Sequence, residues 1–133
     1  MGHFVTLTPH PVTINLPAKG NSYQPLWTVI DISGYDILDL ELGVLFLNGK
    51  VTANFYIETS MQNQTDGDWL VAGAFQQITG NANSLPNPQW QKLNIASGAA
   101  SQSILKYIRW RVSLNAPGTV TFFIRGIARN WGR

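Results

Sequence analysis

The chain of 133 residues contains no cysteine. That excludes disulfides, thiolate metal sites and thiol nucleophiles, and leaves the compartment open. Charge is scarce as well. Charged residues make up 12% of the chain, about half the usual share. Its surface must therefore be built largely from Asn, Gln, Ser, Thr and Gly. Such surfaces suit extracellular or particle-bound β-proteins, or proteins partly covered by neighbours. No apolar run is long enough for a transmembrane helix, so no membrane span is expected. Met1-Gly2-His3-Phe4 leads into a polar, proline-containing stretch, without the basic segment and apolar run of a signal peptide. The pattern Met-Gly-x-x-x-Thr, ending at Thr6, formally fits N-myristoylation, but the residues that follow read as a paired strand. No ten-residue window carries a helical period free of Gly or Pro, and no internal repeat is visible. The length fits one domain over 1–133, long enough to bury roughly two-thirds of its unfolded surface.

The charge that is present is unevenly spread. Residues 1–68 carry Lys19 and Lys50 against seven acids, a net of −5. Residues 69–133 carry seven cations and no acid, a net of +7. Three arrangements account for this: acidic strands pairing beside basic ones, complementary faces docking identical copies head to tail, or a basic patch for nucleic acid. The formal net charge of only +2 argues against nucleic acid.

Strand signals dominate. Residues 4–8 and 12–16 alternate on either side of Pro9-His10-Pro11, as edge strands or one kinked strand do. Residues 17–22 read as a loop. Residues 27–32 predict a strand with Trp27, Val29 and Asp31 on one side, turned by Ser33-Gly34-Tyr35. Over residues 37–47, Leu38, Leu40, Leu42, Val44 and Phe46 face a core, while Asp39, Glu41 and Gly43 face away. Asn48-Gly49 is a type I′ hairpin signal, after which residues 50–60 return with Val51, Ala53, Phe55 and Ile57 inward. Residues 65–68 form a turn, residues 69–78 a further strand, residues 80–88 a long loop and residues 93–95 a brief strand. The stretch 98–103 is small and flexible by composition.

The clearest stretch comes last. Residues 105–114 and 119–129 read as two strands of a hairpin closed by Asn115-Ala116-Pro117-Gly118. Ile108, Trp110, Val112 and Leu114 form its core face, and Tyr107, Arg109, Arg111 and Ser113 the other. About seven to nine short strands between Gly, Asn and Pro turns predict an all-β fold, a single antiparallel β-sandwich or jelly roll.

Catalytic chemistry finds little purchase. His3 and His10 have no His or acid at ligand spacing, so neither a metal nor a cofactor is expected. Asp66-Gly67-Asp68 has too few carboxylates for an EF-hand loop, although a calcium between sandwich loops stays open. Asp39 and Glu41 share one strand face, whereas a glycosidase pair must flank a bond. They are expected to partner Arg109 and Arg111. No Gly-x-Ser-x-Gly elbow, P-loop or dinucleotide fingerprint is present, and no enzyme is expected. Five tryptophans are many for this length. Trp90 and Trp131, with Tyr107, are the candidate carbohydrate contacts, because sugar faces stack on rings.

Several pieces resemble discoidin-like (coagulation factor 5/8 type C, galactose-binding-like) β-sandwiches. Residues 51–60 are similar to their strand ending in Ser before a turn, and Asp66-Gly67-Asp68-Trp69 to their Asp-Gly-x-x-Trp turn, one residue shorter. Lys106-Tyr107-Ile108-Arg109-Trp110-Arg111-Val112 resembles their Arg-Tyr-Ile-Arg strand, and residues 120–128 their closing strand. The resemblance covers about residues 48–129 and implies a sandwich. The chain lacks that family's cysteine pair. In overall type it also resembles small β-sandwich virion proteins of tailed bacteriophages, which decorate capsids or join head and tail. That resemblance implies a virion location, homo-oligomers, and capsid or other virion proteins as partners. Tyr107, Arg109, Arg111, Arg125 and Arg129, with Asp39 and Glu41, would carry the docking. The alternative is a carbohydrate-binding module whose partner is a glycan.

Overall fold

The computed structural model describes residues 2–80, 89–96 and 104–130. Eleven strands run through them: β1 (His3–Thr6), β2 (Val12–Leu16), β3 (Gly20–Tyr23), β4 (Ile30–Asp31), β5 (Ile37–Leu47), β6 (Thr52–Ser60), β7 (Leu70–Ala74), β8 (Ile78–Thr79), β9 (Gln89–Ala96), β10 (Tyr107–Leu114) and β11 (Gly118–Arg129). They form two antiparallel sheets. The first has the order β1-β11-β5-β9, with β2 also on β11. The second has the order β3-β10-β6-β7, with β4 on β10 and β8 on β6. Three pairs of short strands thus lie along one long partner each: β1 and β2 on β11, β3 and β4 on β10, β7 and β8 on β6. Each sheet is effectively four strands wide, and the chain changes sheet at six of its ten connections. That is the jelly-roll form of the β-sandwich. Among the described residues no helix is long and apolar enough to cross a membrane.

Period-two alternation builds the core between the sheets. Leu38, Leu40, Leu42 and Val44 of β5 meet Phe55 and Ile57 of β6, the four expected residues of β10, and Val120, Phe122 and Ile124 of β11. The Phe122 ring packs edge-on against both Phe55 (62°) and Trp110 (84°), with centroids 5.0 Å apart in each case, so three rings from three strands tie the sheets together.

Five expectations differ from the structure. The 105–129 stretch is not a hairpin: β10 belongs to the second sheet and β11 to the first, so Asn115-Ala116-Pro117 arches across the core. Asn48-Gly49 likewise joins β5 to β6 in the opposite sheet, and it is Lys50 that takes the positive φ, 67°. Phe46 does not continue the inward face. The ladder with β11 shifts by one residue between Thr121 and Phe122, a β-bulge that turns Phe46 outward and Leu47 inward. Finally, residues 20–23 form β3 rather than a loop, and residues 27–32 are not one strand, as the site shows below. The expected 93–95 strand extends to eight residues as β9. The loops expected at 80–88 and 98–103 lie largely outside the described residues.

Candidate functional site

β3 and β4 are two pieces of one edge strand on β10. Tyr23 pairs with Arg111 and Ile30 with Ile108. Between them the chain leaves the ladder in an excursion. Pro25 starts it, since it can donate no ladder hydrogen bond, and Leu26–Thr28 form a 3-10 turn. The departure would leave the Trp110 amide without a partner. Gln24 supplies one: its Oε1 accepts from the Trp110 N–H at 3.0 Å, while its Nε2 donates to the Thr28 carbonyl at 2.8 Å. The Thr28 hydroxyl donates to the Pro25 carbonyl at 2.7 Å. Gln24 is buried, so both ends of its amide are used in fixing the turn.

At the tip stands Trp27, 87% exposed, and beside it Tyr23, 40% exposed. Two adjacent hollows share these rings. One, of about 500 Å³, opens between the edges of the two sheets over Leu7, Val12, Ile14 and Trp110. The other, of about 550 Å³, runs past Asn21 and Ser22 to Asp66. The rim therefore offers amides, hydroxyls and one carboxylate around two exposed rings.

Behind Tyr23 lies a charge cluster on the outer face of the second sheet. Arg109 is 1% exposed. Its guanidinium sits 4.6 Å from the Tyr23 ring centre and 4.4 Å from that of Trp69. Its Nε donates to Glu58 Oε1 at 2.8 Å and its Nη1 to Asp66 Oδ1 at 2.5 Å. Arg111 Nε donates to Glu58 Oε2 at 2.9 Å, its Nη1 donates to Asn21 Oδ1 at 3.0 Å, and its guanidinium covers the Tyr56 ring at 4.0 Å. Two acids and two arginines balance, and each Glu58 oxygen accepts one cation. This is the arrangement a buried charge requires.

The other sequence-picked residues fall elsewhere. Asp39 and Glu41 do not meet Arg109 and Arg111, because β5 and β10 lie in different sheets. Instead Arg129 Nε donates to Asp39 Oδ2 at 2.7 Å and Arg125 pairs with Glu41 at 3.1 Å, both on the outer face of the first sheet. The hydrogen bond from Arg129, then that from Asn94 at 2.6 Å, holds the Asp39 carboxyl below the ordinary aspartate value. Trp90 pairs with Gly43 in register and stands edge-on to Phe123, centroids 5.2 Å apart, on that same outer face. A Cβ on Gly43 would run into the Phe123 ring edge, so a larger residue there would have to push that ring aside. Tyr107, with Lys106 Nζ 5.2 Å over its ring, belongs to the second sheet. Trp90 and Tyr107 thus sit on different sheets and share no site, and Trp131 lies outside the described residues. Among the described residues no group of three His, Asp or Glu side chains is placed to hold a metal ion.

Trp27, Tyr23 and Gln24 were missed as a site. The readable signal was Pro25, which breaks the strand two residues before Trp27.

No family model matches the chain, and no curated protein matches it. Among solved structures, the chain is similar to a carbohydrate-binding module (CBM6cm-2) from Cellvibrio mixtus lichenase 5A in complex with cellotriose. The identity is 14%, over 97% of this chain and 87% of that one, with a TM-score of 0.47. A likeness this distant carries no argument about what this chain binds.

Proposed function

We propose that this chain is a non-catalytic binding module that holds a neutral oligosaccharide at the Tyr23–Trp27 groove. The observation that carries the reading is Trp27, 87% exposed on a turn pinned by a buried glutamine. Leaving an indole in water forgoes about 2–3 kcal/mol of burial. Fixing the backbone beneath it makes the ring a prepared contact rather than a frayed one. Sugar rings present an apolar C–H face to such a ring and hydroxyls to its surroundings. Here Asn21, Ser22, Thr28 and Asp66 supply those surroundings. The particle-docking role expected from the sequence is the weaker reading, because Arg109, Arg111, Arg125 and Arg129 each already engage a carboxylate within the chain.

The test is calorimetric and fluorescence titration with a panel of neutral hexose and pentose oligosaccharides, run on the native chain and on Trp27→Ala. Binding by the native chain should weaken by at least about 2 kcal/mol in the variant, roughly thirtyfold in Kd. The melting temperature should stay in place, since the lost ring packs little. Equal binding by both proteins, or none by the native chain, removes the reading.

A further inference from the structure

We infer that Arg109 is the positioning residue of this groove: one buried guanidinium locks the Tyr23 wall and the residue 61–69 connection into a single rigid body. The inference rests on the oligosaccharide reading for its functional consequence, but its structural content stands apart from it.

Arg109 makes no contact with the groove itself. It acts through its neighbours. One face of the guanidinium lies against Tyr23, which lines both hollows, and Trp69 stands at 4.4 Å on the connection from β6 to β7. Its nitrogens reach Glu58 on β6 and Asp66 on the connection, and Asp66 lines the outer hollow. The connection has its own internal bracing. The Trp69 indole donates to the Thr65 carbonyl at 2.8 Å, and Gln62 Oε1 accepts from the Gln64 and Thr65 amides. Within the contacts described, Arg109 bonds this braced piece to the sheet through Asp66 and stacks it through Trp69. A planar cation can stack on aromatic rings while its edge serves two carboxylates. Lysine keeps the charge and loses that geometry. The groove would then open on its Asp66 side, and Tyr23 would lose its backing.

The experiment compares the native chain with Arg109→Lys. Amide hydrogen exchange is followed over residues 20–23 and 62–69, together with affinity for the same oligosaccharide panel. Expected for Arg109→Lys is exchange about tenfold faster in both segments together, with affinity about tenfold weaker. Trp69→Phe, which keeps a ring against the cation, should recover most of the affinity that Trp69→Ala loses. Leu42→Ala, a core change in the other sheet, should lower the melting temperature without moving the affinity. A merely structural role for Arg109 would make Arg109→Lys and Leu42→Ala behave alike, and would overturn the inference. So would exchange and affinity unchanged within about twofold in Arg109→Lys. If the native chain binds no member of the panel, the oligosaccharide reading fails, and the exchange measurement alone decides whether Arg109 joins the two segments. Should Arg109→Lys not fold, Asp66→Ala removes the bond at its exposed end and carries the exchange measurement, in which residues 20–23 and 62–69 should again speed up together.

Discussion

Asp39 and Glu41 stand two residues apart on β5 and each meets an arginine from β11. Asp39 yields a prediction. Hydrogen bonds from Arg129 and Asn94 depress its folded pKa below the ordinary 3.8. A depressed carboxylate adds stability that is fully present above the unfolded pKa, and that stability is lost as pH falls through the folded one. Both side chains are about two-fifths exposed, so solvent screening limits the effect to a few tenths of a kcal/mol, at most about 1. Urea midpoints of the native chain and Asp39→Asn should therefore differ in favour of the native chain at neutral pH. The difference should shrink as pH falls below the ordinary aspartate value and vanish below the depressed folded one. A gap that persists or widens in acid would assign the stabilisation to something other than the ionised carboxylate. At this scale the sequence was a good guide to orientation and a poor one to partnership. Alternation placed Asp39, Glu41, Arg109 and Arg111 on outward faces, because period two is a property of the extended backbone. It could not say that Arg109 meets Glu58 rather than Asp39, because partners follow strand order and no local pattern encodes strand order. Nor could it show Arg109 to be buried. An outward face becomes an interior only when a remote segment, here the one carrying Asp66 and Trp69, folds over it.

Asn48 and Asn115 show how the same turn chemistry serves two different connections. Asn-Gly between alternating runs usually closes a two-residue hairpin. In this chain both asparagines brace arches that carry the chain from one sheet to the other. Asn48 Oδ1 accepts from the Thr119 amide at 2.5 Å, and Asn115 Oδ1 accepts from the Thr52 amide at 2.8 Å. The asparagine of the β5–β6 arch thus ties down the start of β11, and that of the β10–β11 arch ties down the start of β6. Asn48→Ala leaves a half-buried amide without its acceptor and should cost about 1–2 kcal/mol. Asn115→Ala should cost less, about 0.5–1 kcal/mol, because solvent reaches the Thr52 amide. Chemical denaturation of the two variants beside the native chain measures both. Costs in the opposite order would mean that burial of these amides does not govern the arches. Most of the long strands were legible from alternation, whereas β3 and the connections were not. A turn motif records how tightly the chain reverses, not whether the next strand pairs with its predecessor or crosses the core. The excursion at residues 24–29 was hidden for a related reason: Trp27, Val29 and Ile32 have strand propensity, and tertiary demands at the β10 edge override it.

The charge asymmetry along the chain becomes intelligible only for the whole molecule. The acidic first half supplies β1 to β6, and the basic second half supplies β7 to β11. Each sheet mixes strands from both halves, with β11 and β9 flanking β5 in the first and β10 and β7 flanking β6 in the second. Among the described residues, each of the five ion pairs joins an arginine from the second half to an acid from the first. The asymmetry is thus the sequence trace of interleaving, and it has a consequence for assembly of the fold. Separated at 68/69, neither half retains a complete sheet, so each should be unfolded alone by circular dichroism. Mixed, the two carry −5 and +7 and should find each other with electrostatic help. The recovered β-signal should appear at a rate that falls steeply as salt rises toward about 1 M, where screening acts within roughly 3 Å. The final extent of recovery should change far less, because the core rather than the surface charge holds the product together. A recombination rate indifferent to salt would show that the opposed charges only balance the finished surface and do not guide the halves into register.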